Sequence, residues 1–173
     1  MNRCVVFLFA FFCAAAPAHA DRILLFSDPG FSDSTLVDDT PRTATLYVVH
    51  TNFWGTGSRF RIAADPGFTG VWLGQASPYF TLGNSTTDVS IAYAACLQGP
   101  VLILTATYQL FGTSSACSGL RIAPANGQPC VIATSGGGCI EEVCVRDLGS
   151  LQVNCPVSTE PSTWGRVKAL YKD

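Results

Sequence analysis

Short runs of β-branched and aromatic residues, separated by Gly, Pro, Asn and Asp, recur from Arg22 to Asn154, and no long helical period interrupts them. That rhythm predicts strands over Ile23–Ser27, Thr43–Thr51, Ser58–Ala64, Gly70–Gly74, Val89–Ala95 and Val101–Leu110. Shorter ones are predicted over Leu120–Ala123, Val131–Thr134, Val143–Arg146 and Leu151–Asn154. In Ser58–Ala64, Phe60 and Ile62 alternate with Arg59 and Arg61, so one face of that strand meets water. In Thr43–Thr51 both faces look covered, with Leu46, Val48 and His50 on one and Tyr47, Val49 and Thr51 on the other. Val101–Leu110 is the most apolar run; as an open edge it would invite aggregation, which predicts a central position. The short Gly-Pro connection before it predicts antiparallel pairing with the preceding strand. Asp-Pro-Gly-Phe occurs at Asp28–Phe31 and again at Asp65–Phe68. Pro presets φ at the second position and Gly supplies a positive φ at the third, so both are expected to be type II turns. The fold class that follows is all-β, an antiparallel β-sandwich.

The two ends read differently from this body. Met1-Asn2-Arg3 gives a positive flank, Cys4 to Ala16 is apolar, and Ala18-His19-Ala20 is a small-x-small cleavage site. Residues 1–20 are therefore expected to be a secretory signal peptide removed before Asp21. A sandwich domain is expected over 21–155, and a linker with an amphipathic tail over 156–173. In that tail Ser162 or Thr163 can cap a short C-terminal helix, with Trp164, Val167, Leu170 and Tyr171 on one face. The tail is either a docked helix or a sorting signal read through Trp164, Val167 and Lys168. No run after Ala20 is long and apolar enough to span a bilayer, so no transmembrane segment is expected in the mature chain.

Charge narrows the partners. Without Arg3, nine basic residues face twelve acidic ones, a formal net charge of −3 with no basic run. Nucleic acid is excluded as a partner on that ground. Charged residues make up only 13% of the chain, against about 25% typically, which leaves a hydroxyl-rich surface. Cys96, Cys117, Cys130, Cys139, Cys144 and Cys155 follow the leader; an even number in an exported chain reads as three disulfides, with fifteen pairings open. The spacing of Cys139 and Cys144 raises zinc, which the lack of a CxxC pair and of any later His disfavours.

Candidate chemistry is sparse, and no catalytic residue, metal ligand or cofactor is expected. His50 is the one histidine after the leader, and no serine sits in a Gly-x-Ser-x-Gly elbow. Glu141 and Glu142 are strand neighbours on opposite faces, a poor glycosidase pair; Asp147 lies nearby. Asp28, Asp33, Asp38 and Asp39 raise calcium, but their spacing does not match an EF-hand and a solvated loop accounts for them. Phe53 and Trp54 in one loop and Tyr79 in another could stack on sugar rings, or could fold back over an end of the core. Trp72 reads as core, and Asn84-Ser85-Thr86 matches a glycosylation acceptor.

The ending Cys155-Pro156-Val157, Glu160 and Thr163-Trp164-Gly165-Arg166-Val167-Lys168-Ala169-Leu170-Tyr171 resembles the C-terminal segment of many uncharacterised secreted bacterial proteins. Those chains finish in a Thr-Trp-Gly-x-Ile/Val-Lys-x-Leu-Tyr pattern. Leu46 to Asn52, Phe60, Ile91-Ala92-Tyr93 and Cys96, followed by a long apolar strand, resemble the sandwiches of the same proteins. In strand order the body is similar to cohesin-like and carbohydrate-binding sandwiches. The resemblance implies a cohesin-like or jelly-roll-like sandwich, of bacterial origin, secreted or at the cell surface. Together these readings predict an exported, non-enzymatic structural or adhesion module whose partner is a polysaccharide or another surface protein. The alternatives are a carbohydrate-binding module using Phe53, Trp54 and Tyr79, and a secreted hydrolase.

Overall fold

The computed structural model describes residues 21–135 and 138–156. The expected leader, the linker beyond Pro156 and the tail with Trp164, Val167 and Lys168 lie outside the described residues. Within them every element is a strand, and no helix is long and apolar enough to cross a membrane. In chain order these are β1 Arg22–Phe26, β2 Thr35–Leu36, β3 Pro41–Thr51, β4 Trp54–Ala64, β5 Val71–Ala76, β6 Phe80–Asn84 and β7 Asp88–Gln98. There follow β8 Val101–Phe111, β9 Ser118–Ala123, β10 Val131–Ser135, β11 Glu141–Val145, β12 Asp147–Leu148 and β13 Ser150–Val153.

Two sheets form the sandwich. The first has the order β12-β1-β3-β8-β5; the second runs β11-β10-β4-β9-β13-β2, with β7 beside β4 and β6 beside β7. β8 lies between β3 and β5, the central place its sequence required. Its Ile103, Leu104, Ala106, Tyr108 and Leu110 are buried in one core with Phe60, Ile62, Val89 and Ile91 of the second sheet. Each fully buried large aliphatic or aromatic side chain there contributes about 1.5–3 kcal/mol.

The sheets are mixed rather than purely antiparallel. β1 runs parallel to β12, and β13 runs parallel to β2. Each pairing involves a two-residue strand, and alternation of polar and apolar residues records which face a residue takes, not the direction of its neighbour.

The expected pairing of β7 with β8 is corrected. β7 bonds to β4 and β6, β8 to β3 and β5, and Gly99-Pro100, joined by a cis peptide bond, carries the chain from one sheet to the other. A second crossing lies beside it. Asn52, at φ 54°, turns the chain from β3 into β4, and the amide N–H of Gly99 donates to the carbonyl of Phe53 at 3.2 Å. A Cβ on Gly99 would stand 2.6 Å from the Phe53 ring, so glycine is required where the two crossings meet. A hairpin and a sheet-to-sheet crossing use equally short connections, so the length of the link does not tell them apart.

The two Asp-Pro-Gly-Phe copies also diverge. Both close with an N–H of Phe donating to the carbonyl of Asp at 3.2 Å, yet positive φ falls on Gly67 in the second copy and on Phe31 in the first. In the first copy the Asp28 carboxylate accepts the amide N–H groups of Asp33, Ser32 and Gly30 at 2.6, 2.9 and 2.9 Å, and these donors set the loop. With the Asp33 N–H foremost, they also hold Asp28 below the ordinary carboxylate range.

Cysteines pair as Cys96–Cys139, Cys117–Cys155 and Cys130–Cys144, with Cα separations of 5.8, 4.4 and 5.6 Å. One joins β7 to the turn before β11, one joins the start of β9 to the end of β13, and one clips β10 to β11. Close to the second, buried Asp38 accepts the N–H groups of Gly112 at 2.6 Å and Ser114 at 3.1 Å, while Asn154 brackets its backbone on both sides. At the opposite border of the sandwich, where β5 and β6 face each other from different sheets, Gln75 joins them. Its Nε2 donates to the carbonyl of Gly83 at 3.2 Å, and its Oε1 accepts the N–H of Ser85 at 2.6 Å.

Candidate functional site

The register across the second sheet sets two rows of side chains on its outer face, because directly opposed residues of an antiparallel ladder point the same way. One row runs Glu142, Thr134, Gly57, Ala92, Phe80; the other runs Cys144, Ile132, Arg59, Ser90, Leu82. Gly57 and Ala92 keep the middle of the first row low, Arg59 and Ser90 fill the middle of the second, and larger apolar residues stand on the flanks. The result is a groove of about 640 Å³ with Gly57, Ala92 and Ser90 on its floor, Phe80 and Leu82 on one bank, and Ile132, Thr134 and Glu142 on the other. Phe80 is 68% exposed and Leu82 61%. Gly57 is held to glycine by the backbone: a Cβ there would meet the Ile91 carbonyl at 2.7 Å.

Charge in the groove is nearly cancelled. Arg59 makes a two-pronged ion pair with Asp88, its Nε donating at 2.9 Å. That hydrogen bond, first among the causes, draws Asp88 below the ordinary carboxylate range. Glu142 then supplies the unbalanced charge on the far bank.

Of the three aromatic residues expected to form a binding platform, Trp54 is exposed while Phe53 and Tyr79 both pack on the Tyr93 ring. Trp54 opens β4 and is 62% exposed. Phe53, by contrast, is 4% exposed and stacks on the His50 ring at a centroid distance of 3.7 Å. The turn at Asn52 sends it inward. Tyr79 is half-buried, with its ring 5.2 Å from that of Tyr93. Phe80, the next residue along, opens β6 and is one of the two exposed apolar residues on that bank. Trp72 is half-buried, packed against the core. The sequence signal for the groove is the alternation Phe80-Thr81-Leu82, which Gly83 and Asn84 cut too short to stand out.

His50 belongs to the interior. Its Nδ1 lies 2.9 Å from the Tyr93 hydroxyl, which donates to Ser58 Oγ at 2.8 Å. Burial pushes its pKa down to about 3, and burial likewise pushes the Tyr93 hydroxyl up. A neutral, enclosed imidazole of this kind is a packing residue. The acidic residues of the first long loop are also engaged: Asp28 and Asp38 in backbone N–H groups, and Asp33 in the N–H and hydroxyl of Thr35 at 2.8 and 2.7 Å. Asp147 pairs with Arg22 at 2.7 Å.

No protein-family model matches the sequence, and no curated protein does. Solved structures match in shape, cohesin modules among them. A cohesin module from a Clostridium perfringens family 33 glycoside hydrolase superposes with a TM-score of 0.55 at 6% identity, covering 80% of this chain and 99% of that one. The sixth cohesin of Acetivibrio cellulolyticus scaffoldin B, solved in complex with a Cel5 dockerin, gives 0.53 at 8% identity, covering 79% and 99%. The third cohesin ScaC with the ScaB dockerin, of the same organism, gives 0.50 at 12% identity, covering 77% and 98%. The chain therefore has a cohesin-like β-sandwich fold, elaborated with three cysteine pairs.

Proposed function

We propose that this protein is a non-catalytic, exported binding module that holds another extracellular or surface protein on the outer face of its second sheet. The observation that carries this reading is the exposed apolar bank of Phe80 and Leu82 beside a floor of Gly57, Ala92 and Ser90. Large apolar side chains on a two-walled sheet face are what a partner covers. From the Phe80 bank to the Thr134 bank is three strand spacings, about 14 Å, which accommodates one α-helix of about 10–12 Å diameter. Glu142 on the far bank favours a helix carrying Lys or Arg at that edge. Two of the superposed cohesins were solved with dockerins, which supports a protein partner as the first to be sought.

Export rests on the apolar leader ahead of Asp21 and on the cysteine pairs, which persist in an oxidising compartment. Residues 156–173 are proposed as a sorting segment read through Trp164, Val167 and Lys168. The test is affinity capture from the surface and culture fractions of the source organism with residues 21–173, followed by titration of the purified partner. Phe80→Ser and Ala92→Trp should each weaken binding at least about tenfold while leaving the thermal midpoint within about 2 °C. Binding by both variants at full strength would refute this face as the site.

A further inference from the structure

The first sheet presents a different chemistry on its own outer face. β1 pairs with β3 only from Tyr47 to Thr51, whereas β8 follows β3 along nearly its whole length, so among the described residues Pro41 to Leu46 have no strand on their β1 side. The loop between β1 and β3 stands off from that edge. A notch of about 440 Å³ is left, lined by Ser27, Asp33, Thr35, Arg42, Thr45 and Tyr47. From the notch the same face continues as Thr45, Thr107 and Gly74 in one row and Tyr47, Thr105 and Ala76 in the next. Neither row contains an ionisable carboxylate, Lys or Arg. Gly74 has open space where a side chain would stand.

We infer that this face, from the notch beside β3 across to β5, binds a neutral polysaccharide chain. Hydroxyl side chains donate and accept alike, which suits sugar hydroxyls of either sense. Arg42 is pinned by donating to the Val37 carbonyl through Nη2, and among the described residues its remaining N–H groups face no acceptor. Asp33 uses one carboxylate oxygen on Thr35 and leaves the other free among the described residues. Tyr47 adds a half-buried ring, braced by Phe31 at 6.2 Å, which in turn packs on Phe26 at 6.0 Å. Such a braced ring stacks with little loss of rotamer freedom. The notch lies within the size range of small-ligand sites, and the threonine rows extend it by two strand spacings, about 10 Å, room for further sugar rings.

An extended peptide adding to the bare β3 edge is the competing occupant. It would need apolar recesses for alternate side chains; of the apolar residues that line the notch, Leu36 and Ala44 are buried in its floor and Val37 stands exposed on its rim, so one exposed apolar contact faces a peptide rather than a row of recesses. Charge selects against anionic glycans, because Asp28 and Asp33 outnumber Arg42 in the notch lining.

The experiment is affinity electrophoresis of residues 21–173 through gels containing xylan, mannan, xyloglucan or hydroxyethylcellulose, with sedimentation on cellulose and chitin. At least one of these should retain the protein, equally at ~50 and ~500 mM salt. Arg42→Gln and Thr45→Val, both at surface positions, should weaken retention about tenfold or more, as should Tyr47→Ala, whereas Phe80→Ser should not. Failure of every polysaccharide to retain the protein, loss of retention in salt, or equal retention of the three notch variants would each overturn the inference. Capture of an extended peptide in the notch without any polysaccharide binding would do so too.

Discussion

Asp38 offers the sharpest test of how this sandwich is held together. Its carboxylate is buried and accepts two backbone N–H groups from the chain between β8 and β9, while Asn154 donates to its carbonyl and to that of Ser114. Three segments distant in sequence meet at one ion. Burial opposes ionisation, but the donors of Ser114 and Gly112 outweigh it, and Asp38 stays below the ordinary carboxylate range. A hydrogen bond to a charged group is worth about 1.5–3 kcal/mol. Asp38→Ala removes two of them and leaves the N–H groups of Gly112 and Ser114 buried without acceptors, so a loss of about 3–5 kcal/mol is expected. Asp38→Asn keeps the shape but can turn an amide N–H toward a backbone N–H, and should cost a similar amount. In a domain of this size the thermal midpoint should drop by roughly 10 °C. Urea denaturation of wild type and both variants, with the slope of the transition held common, measures the difference. The sign in pH follows from the depressed value: the wild-type advantage is complete above about pH 4 and disappears as the pH falls through the folded-state pKa. Variants within about 1 kcal/mol of wild type at pH 7 would show that the buried carboxylate is not the tie described.

Three further expectations concern other parts of the molecule. His50, held neutral at a pKa of about 3 against 6.5 when unfolded, makes the unfolded chain bind a proton that the folded chain refuses. Stability should therefore fall by about 1.4 kcal/mol per pH unit below ~6.5, and His50→Phe should flatten that slope in denaturation curves taken between pH 7 and 4.5; an unchanged slope would remove His50 as its cause. Replacing Cys117 and Cys155 together by Ser opens a loop of sequence separation 38 and should cost about 4 kcal/mol by chain entropy, seen as a lower urea midpoint in the absence of reductant; equal midpoints would mean the bridge adds nothing. Gly55→Ala would place a Cβ 2.2 Å from the Thr134 carbonyl, so β4 and β10 must part; amide exchange should accelerate in both strands, and unaltered protection there would contradict the close approach of Gly55 to Thr134.

Much of the sandwich was legible because period-two alternation is a direct record of burial. Phe60 and Ile62 against Arg59 and Arg61, and the long β8 run, led to the observed faces and to the central strand. What alternation could not carry was which sheet a strand joins. The Gly99-Pro100 link has the length of a hairpin, and its crossing to the other sheet, with Gly99 close against the Phe53 ring, is a matter of tertiary packing that no local run records. β2 and β12 escaped because two residues carry no pattern, and β6 because Gly83 and Asn84 cut its alternation short. The candidate groove escaped with them, since its apolar bank, Phe80 and Leu82, stands on β6. Asp38 read as one more loop acid; its partners at Gly112, Ser114 and Asn154 lie far along the chain, beyond any local signal. The disulfide pairing was open for the same reason, and spatial proximity alone resolved it.

Gln75 bears on how the module can coexist with copies of itself. By offering its side-chain amide to Gly83 and Ser85, it mimics the main chain of an incoming strand at the rim where β5 and β6 would otherwise be open. A molecule that displays Phe80 and Leu82 on that same rim needs such a stopper, because greasy side chains beside vacant backbone groups are the ingredients of a growing fibre. The Gln75 amide thus closes the backbone of Gly83 and Ser85 to an added strand and leaves Phe80 and Leu82 uncovered beside it.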